Sequence, residues 1–255
     1  MIDWHLDPAY AQARAGRAFN SLNAVFALPG EQVTSDPESE VLRVRIDGVV
    51  YYVKRYFIGR RSLARRWFGL RDMFGPQRSV KEWQNLQRFQ AWGIPTAKLV
   101  AWGQERRHGR FVRAAVITEE LKDTVDLARM AKMGDSRLSD RTWVQQISRQ
   151  IAVATRTMHD HGFAHNDLKW RNLLVNAAEN PQVYFIDCPN GAFWWRPFLD
   201  YRIIKDLACL DKVAKYHLSQ TQRLRFYLRY VGRPRLTAVD KPKLRKILQF
   251  FVGRE

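Results

Sequence analysis

The segment His165-Asn166-Asp167-Leu168-Lys169-Trp170-Arg171-Asn172, followed by the apolar run Leu173-Leu174-Val175, constrains this chain more than any other. It reads H-x-D-L-K-x-x-N. Twenty residues past its Asp, a second apolar run, Val183-Tyr184-Phe185-Ile186, ends at Asp187. A fold carrying this segment must hold a carboxylate, a lysine and an amide on one loop. It must also bring up a second carboxylate from the end of a later strand. These are the groups that ATP-dependent phosphoryl transfer requires. In that chemistry Asp167 orients an attacking alcohol and takes its proton. Lys169 neutralises charge on the transferred group, and Asn172 and Asp187 hold Mg²⁺ against the phosphates. The plainer reading is a polar loop before a buried strand, with Asp187 as its cap. Five fixed positions plus a downstream Asp weigh against it.

The rest of the chain supplies elements in a definite order. Residues 41–46 alternate apolar with charged side chains, Asp47-Gly48 marks a hairpin turn, and 49–53 are rich in β-formers. Lys54 is expected to end that second strand. A basic, aromatic segment follows over 55–78, with Arg60, Arg61, Arg65, Arg66 and Arg71 among Phe57, Trp67, Phe68 and Phe74. Residues 79–92 predict a helix with Val80, Trp83, Leu86 and Phe89 on one face and Ser79 as its cap. Residues 98–102 and 112–118 read as strands and 119–123 as a linker. The longest predicted helix spans 142–161, striped by Val144, Ile147, Ile151, Thr155 and Met158, and runs into the His165 segment. Another helix is expected over 203–217, then one or two basic helices in the tail.

Strand Lys, helix Glu, strands, linker, long helix, H-x-D-L-K-x-x-N, strand, Asp: this order resembles the protein-kinase-like fold over most of the chain. The resemblance implies an α+β, two-lobed architecture with a β-rich N-lobe (1–118), a hinge (119–123) and a mainly helical C-lobe (124–255). It implies that Lys54 grips the ATP α- and β-phosphates and that Glu82 pairs with it. It places Glu119 and Glu120 at the adenine-binding hinge through their backbone groups, with Leu121 also among the ATP-binding residues. His165 would brace the loop backbone. Asp206 would support the loop from below, with a helix-surface Asp as the equal alternative. Several protein-kinase features are missing. No G-x-G-x-x-G precedes Lys54, and 28–39 is the only candidate cover for the phosphates. Asn166 replaces an Arg, Asp187-Cys188-Pro189 replaces D-F-G, and only 18 residues separate Asp187 from Asp206. A peptide-docking activation segment hardly fits there, which favours a small or glycan acceptor.

With those departures the chain is similar to the lipopolysaccharide core kinases, the Kdo/heptose kinase group of Gram-negative bacteria. The matched residues are Lys54, Glu82, Asp167, Lys169, Asn172 and Asp187. The resemblance implies ATP and Mg²⁺ as cofactors and a heptose or Kdo hydroxyl of the inner core as acceptor. It also implies a peripheral, cytoplasmic location on the inner membrane. Charge agrees with an anionic partner: 43 Lys and Arg against 25 Asp and Glu give +18. Arg60, Arg61, Arg65 and Arg66, with Trp67, are the expected contacts to the glycolipid and an anionic membrane surface. A solvated insertion with a few core anchors is the alternative for that segment.

The same charge disfavours a drug kinase with an acidic acceptor site. Two other readings stay open: a small atypical protein kinase resembling the kinase of the tRNA-modification complex, and a non-enzymatic basic module that binds nucleic acid. The second has no need of Lys54, Asp167, Asn172 and Asp187 together. Cys188 and Cys209 make no disulfide framework or metal spacing. No basic start with an apolar run is read at the N-terminus, so no secretory signal is expected. No apolar run approaches the ~18 residues of a membrane span.

Overall fold

Six antiparallel strands and the helices that cover their two faces form the first of two compact units in the computed structural model, which describes residues 1–58 and 78–253. The first unit comprises Met1–Arg88 and Ala97–Leu121, the second Phe89–Thr96 and Lys122–Glu255.

In the first unit the strands are β1 (Ile2–Leu6), β2 (Glu31–Asp36), β3 (Ser39–Ile46), β4 (Val49–Phe57), β5 (Leu99–Arg107) and β6 (Arg110–Glu119), in the order β1-β5-β6-β4-β3-β2. The turn between β3 and β4 has Asp47 and Gly48 both at positive φ, 49° and 78°. That is the mirror-image turn whose twist suits a two-residue hairpin. Helices α1 (Arg14–Ala18) and α2 (Leu22–Ala27) cover one face, where Phe19, Leu22 and Val25 meet Tyr51, Val53 and Ile117. Helix α3 (Arg78–Ala91) covers the other, where Trp83 and Leu86 meet Tyr56, Leu99 and Val116.

Two expectations are corrected here. β4 does not end at Lys54 but runs on to Phe57, so Arg55 is a strand residue and not part of an exposed basic segment. Arg55 is 8% exposed, and its side chain donates to the carbonyls of Val25 and Leu28 and to Glu40. A guanidinium at the end of α2 adds donors to carbonyls where the helix itself supplies few. Ser79 does not cap α3. It lies inside the first turn with its hydroxyl buried.

The second unit is mainly helical: α4 (Leu127–Met133), α5 (Arg141–Asp160), α6 (Phe198–His217), α7 (Gln220–Val231) and α8 (Asp240–Gln249). A three-stranded sheet orders β7 (Thr124–Asp126), β9 (Leu173–Asn176) and β10 (Val183–Phe185) as β10-β9-β7, and β8 (Phe163–Ala164) pairs with β11 (Ala192–Phe193). Asp140 caps α5 by accepting from the amides of Thr142 and Trp143. The expected stripe of Val144, Ile147, Ile151, Thr155 and Met158 is the buried face of that helix. It packs with Phe163, Leu168, Leu173 and Phe185 into the core that carries the loop between β8 and β9. Burying each of these large apolar side chains contributes roughly 1.5–3 kcal/mol to holding the loop's footing in place.

Candidate active site

The loop 165–172 is held from beneath. Asp206, on α6, is fully buried, and its Oδ2 accepts the His165 backbone N–H at 2.7 Å. The same oxygen lies 3.4 Å from His159 Nε2, and His159 Nδ1 is 2.8 Å from the Tyr230 hydroxyl. Helices α5, α6 and α7 therefore meet at the carboxylate under the loop. The His165 ring is buried and stacks on Phe89, with centroids 6.1 Å apart. Burial pushes its imidazole below the ordinary histidine range. Trp170 Nε1 donates to Leu210 O at 2.9 Å and pins the short turn that ends the loop.

Above this footing stand the chemical groups. Asp167 Oδ1 is 2.6 Å from Lys169 Nζ, and its Oδ2 is 3.3 Å from Arg171 Nη2. Partial burial alone would raise the Asp167 carboxyl, but the hydrogen bond and charge of Lys169 and the charge of Arg171 outweigh it and hold the group below the usual range. The Asn172 side-chain amide donates to Asp167 O at 2.8 Å, closing the loop across its own base. The Asn172 carbonyl accepts from Ile186 N at 3.0 Å, which places the residue before Asp187 against the loop. Thr96 Oγ1 donates to Phe185 O at 2.6 Å and Phe185 N to Pro95 O at 2.8 Å, fixing the strand that leads to Asp187.

Two non-glycine residues here have left-handed backbones, Asn166 at φ 64° and Asp187 at φ 54°. Asn and Asp tolerate that region better than other side chains, and such outliers concentrate at functional loops. The Asn166 amide bridges Ala164 O and Asn190 O, tying the loop to the segment after Asp187. Sequence reasoning noted Asn166 as a departure and missed this bridge. It also missed Arg171 as a partner of Asp167, although the i, i+4 spacing was there to read.

Asn172 and Asp187 suit Mg²⁺ by donor chemistry. With Nδ2 committed to Asp167 O, the Asn172 group left for a metal is the amide oxygen, and Asp187 supplies a carboxylate. Mg²⁺ takes hard oxygen ligands and usually only one or two from the protein beside phosphate. No group of three or more His, Cys, Asp or Glu spaced for a metal occurs among the described residues.

In the first unit, Lys54 Nζ is 2.9 Å from Glu82 Oε2. The period-two alternation of β4 explains the encounter. Tyr51, Val53 and Arg55 face α2, so Lys54 and Tyr56 face α3 and its Glu82. Tyr56 donates a short hydrogen bond to the same carboxylate oxygen. Burial and the neighbouring Glu82 push the Tyr56 phenol well above its ordinary range, so it stays a donor. Glu119 Oε2 accepts from Tyr10 at 2.5 Å, and Glu120 accepts from Arg43 and Tyr52, each at 3.3 Å. The Glu119 and Glu120 amides are bonded to Lys98 O and Val50 O, so neither N–H is left for a nucleotide. Leu121 is half-buried at the end of the unit. Residues 28–39 form the start and turn of the β2–β3 hairpin, with β2 exposed along its length. Arg60, Arg61, Arg65, Arg66 and Trp67 lie outside the described residues.

Known proteins can be set beside this geometry. A 3-deoxy-D-manno-octulosonic acid kinase of Actinobacillus succinogenes is 31% identical over 123 residues, 46% of this chain and 48% of that protein. One from Haemophilus influenzae is 32% identical over 124 residues, with the same shares. The chain thus spans about half the length of these curated relatives. The lipopolysaccharide core heptose(I) kinase WaaP of Pseudomonas aeruginosa is 26% identical over 225 residues, 83% of this chain and 80% of that protein. Among solved structures, WaaP in complex with acyl carrier protein shares the fold, with a TM-score of 0.69 and 24% identity over 98% of this chain and 94% of that one. The kinase-like arrangement of a β-sheet N-terminal region and a helical C-terminal region is common to both. Residues 23–230 match the model of the lipopolysaccharide kinase (Kdo/WaaP) family, and the chain belongs to that family.

Proposed function

We propose that this protein is an ATP- and Mg²⁺-dependent kinase that phosphorylates a heptose or Kdo hydroxyl of the lipopolysaccharide inner core, acting peripherally at the cytoplasmic face of the inner membrane. The observation that carries the reading is the Asp167 carboxylate, held between Lys169 and Arg171 on a loop whose base is closed by Asn172. Asp167 is kept ionised and is the group to orient the acceptor hydroxyl and take its proton as the new P–O bond forms. Lys169 and Arg171 then balance negative charge gathering on the transferred phosphoryl oxygens. Asn172 and Asp187 hold the metal, Lys54 steadied by Glu82 holds the α- and β-phosphates, and Leu121 with the Glu119 carbonyl side serves the adenine. Bound ATP–Mg²⁺ supplies an activated phosphoryl group with part of its charge already neutralised.

The acceptor class rests on family membership and on charge. A net +18 suits the phosphates and carboxylates of an inner core and an anionic leaflet. Arginines 60, 61, 65 and 66 with Trp67 are the proposed contacts from the segment outside the described residues. No helix among the described residues is long and apolar enough to cross a membrane, which agrees with surface attachment. The decisive experiment is transfer from labelled ATP to core glycolipid stripped of phosphate, with mass analysis of the product. Phosphate appearing on a heptose or Kdo hydroxyl is the expected result. Transfer to protein alone, or none with folded protein and Mg²⁺, would overturn the reading.

A further inference from the structure

We infer that the second unit carries its own lipid-facing surface, built from the segment after Asp187, one side of α6 and the last described residues. The choice of an anionic bilayer as partner rests on the glycolipid-kinase reading above; the surface itself rests on the following observations. Phe193, Trp195, Phe198 and Tyr201 are 53, 78, 57 and 51% exposed. Single exposed apolar residues are ordinary on a protein surface. Four large aromatics in water within nine residues are not.

The group is continuous with a second set of rings. The Arg202 guanidinium lies 4.3 Å over the Trp194 ring and 5.7 Å over that of Tyr201. Tyr201 is 5.8 Å from Phe250, Phe250 is 5.0 Å from Phe251, and Lys212 lies 4.9 Å over Phe251. Beyond Phe251, Val252 is 74% exposed. At 100° per residue, Phe198, Tyr201, Lys205, Lys212 and Tyr216 fall within an arc of roughly 60° on α6. Tyr216, at the far end, is 70% exposed.

Aromatic rings interleaved with Lys and Arg are the composition of an interfacial surface. The rings sit at headgroup depth, the aliphatic stems cover apolar area, and the cations reach anionic headgroups. Between residues 193 and 205 the acidic side chain is Asp200, and Arg196 pairs with it at 3.0 Å. A second copy of this chain is a poor occupant. It would set Arg202 and Lys212 against their own like on a molecule of net charge +18. A negatively charged lipid surface meets both the rings and the cations.

The test uses the full chain and flotation with vesicles of phosphatidylcholine alone or with phosphatidylglycerol. Wild type should partition onto the anionic vesicles, less at high salt. The Trp195→Ser/Phe198→Ser pair should lower that partition at least tenfold at low salt. Met133→Ser, an exposed apolar residue on α4, should leave it unchanged. Circular dichroism and light scattering on each variant separate this from misfolding or loss of a dimer. Unchanged partition of a folded Trp195→Ser/Phe198→Ser protein overturns the proposal, as does a wild-type dimer abolished by the same pair. Transfer to a soluble, delipidated core oligosaccharide is measured in parallel. Wild type that transfers phosphate but ignores vesicles refutes the surface alone. Wild type that binds vesicles but never transfers refutes the kinase reading alone.

Discussion

At the residue scale, Asp167 is the group whose chemistry is best defined by its neighbours. Asp167→Asn keeps the shape but cannot take a proton, so kcat should fall by ~10²–10⁴-fold with ATP binding retained. Near-normal turnover in a folded Asp167→Asn protein would remove this residue from the mechanism. Lys169 and Arg171 hold the Asp167 pKa down, so the carboxylate is ionised above that lowered value and becomes protonated only as pH falls through it. Lys169→Met removes the larger of the two partners, and the acid limb of kcat/KM should move to higher pH. The measurement is a pH–rate profile of variant against wild type with one acceptor. An acid limb that stays in place separates Lys169 from the ionisation of Asp167.

At the scale of elements, the tail helices matter because α7 reaches the loop's support through Tyr230, His159 and Asp206. Their anchoring depends on Asp240 at the start of α8. Its carboxylate accepts from the Thr237 hydroxyl and amide at 2.6 and 2.8 Å, from Tyr227 at 3.2 Å, and pairs with Arg233. The Thr237 bonds lead in depressing its pKa to about 2, below an unfolded value near 3.8. The sign follows: this stabilisation is complete above pH ~4 and disappears as pH falls from there toward 2. Asp240→Ala leaves these donors without their partner and should cost about 1–3 kcal/mol at neutral pH. The difference in thermal midpoint between variant and wild type should shrink at pH 3. A pH-independent difference would assign the loss to packing.

Elements were legible in the sequence where the pattern is local. The Asp47-Gly48 hairpin and the stripe of α5 are written in neighbouring residues, and helix and strand follow from period alone. β1 is not written that way. It is an edge strand whose fit depends on Gly103, ninety-nine positions from its register partner Trp4. A Cβ on Gly103 would come within 2.1 Å of Asp3 O. Arg55 misled for a related reason. A cation next to a run of arginines reads as surface, and only the carbonyls of α2 explain its burial. In the candidate site, the residues of the 165–172 loop could be read together because they are contiguous in the chain. The Asn166 bridge, the His159–Tyr230 contact and the Tyr56 bond to Glu82 depend on tertiary placement and left no local trace.

At the scale of the whole molecule, the proposed nucleotide groups are read out by the stability that a ligand confers. Lys54 and Glu82 belong to one unit, Asn172 and Asp187 to the other. A ligand that binds the folded protein raises its stability by RT ln(1 + [L]/Kd), or about 2.7 kcal/mol at one hundred times Kd. For a chain of this length that is a rise in Tm of about 5–10 °C. ATP with Mg²⁺ should give such a rise, and ATP with a chelator a smaller one, because phosphate charge is then left unneutralised near Asp167 and Asp187. Lys54→Met should lessen the shift with or without metal. Asp187→Ala should remove only the increment that Mg²⁺ adds. Differential scanning fluorimetry on the three proteins, with and without Mg²⁺, reads both effects. An Asp187→Ala protein that keeps the full Mg²⁺ increment shows that another group holds the metal. A Lys54→Met protein with an undiminished shift shows that its ion pair with Glu82 serves the sheet and helix of the first unit alone.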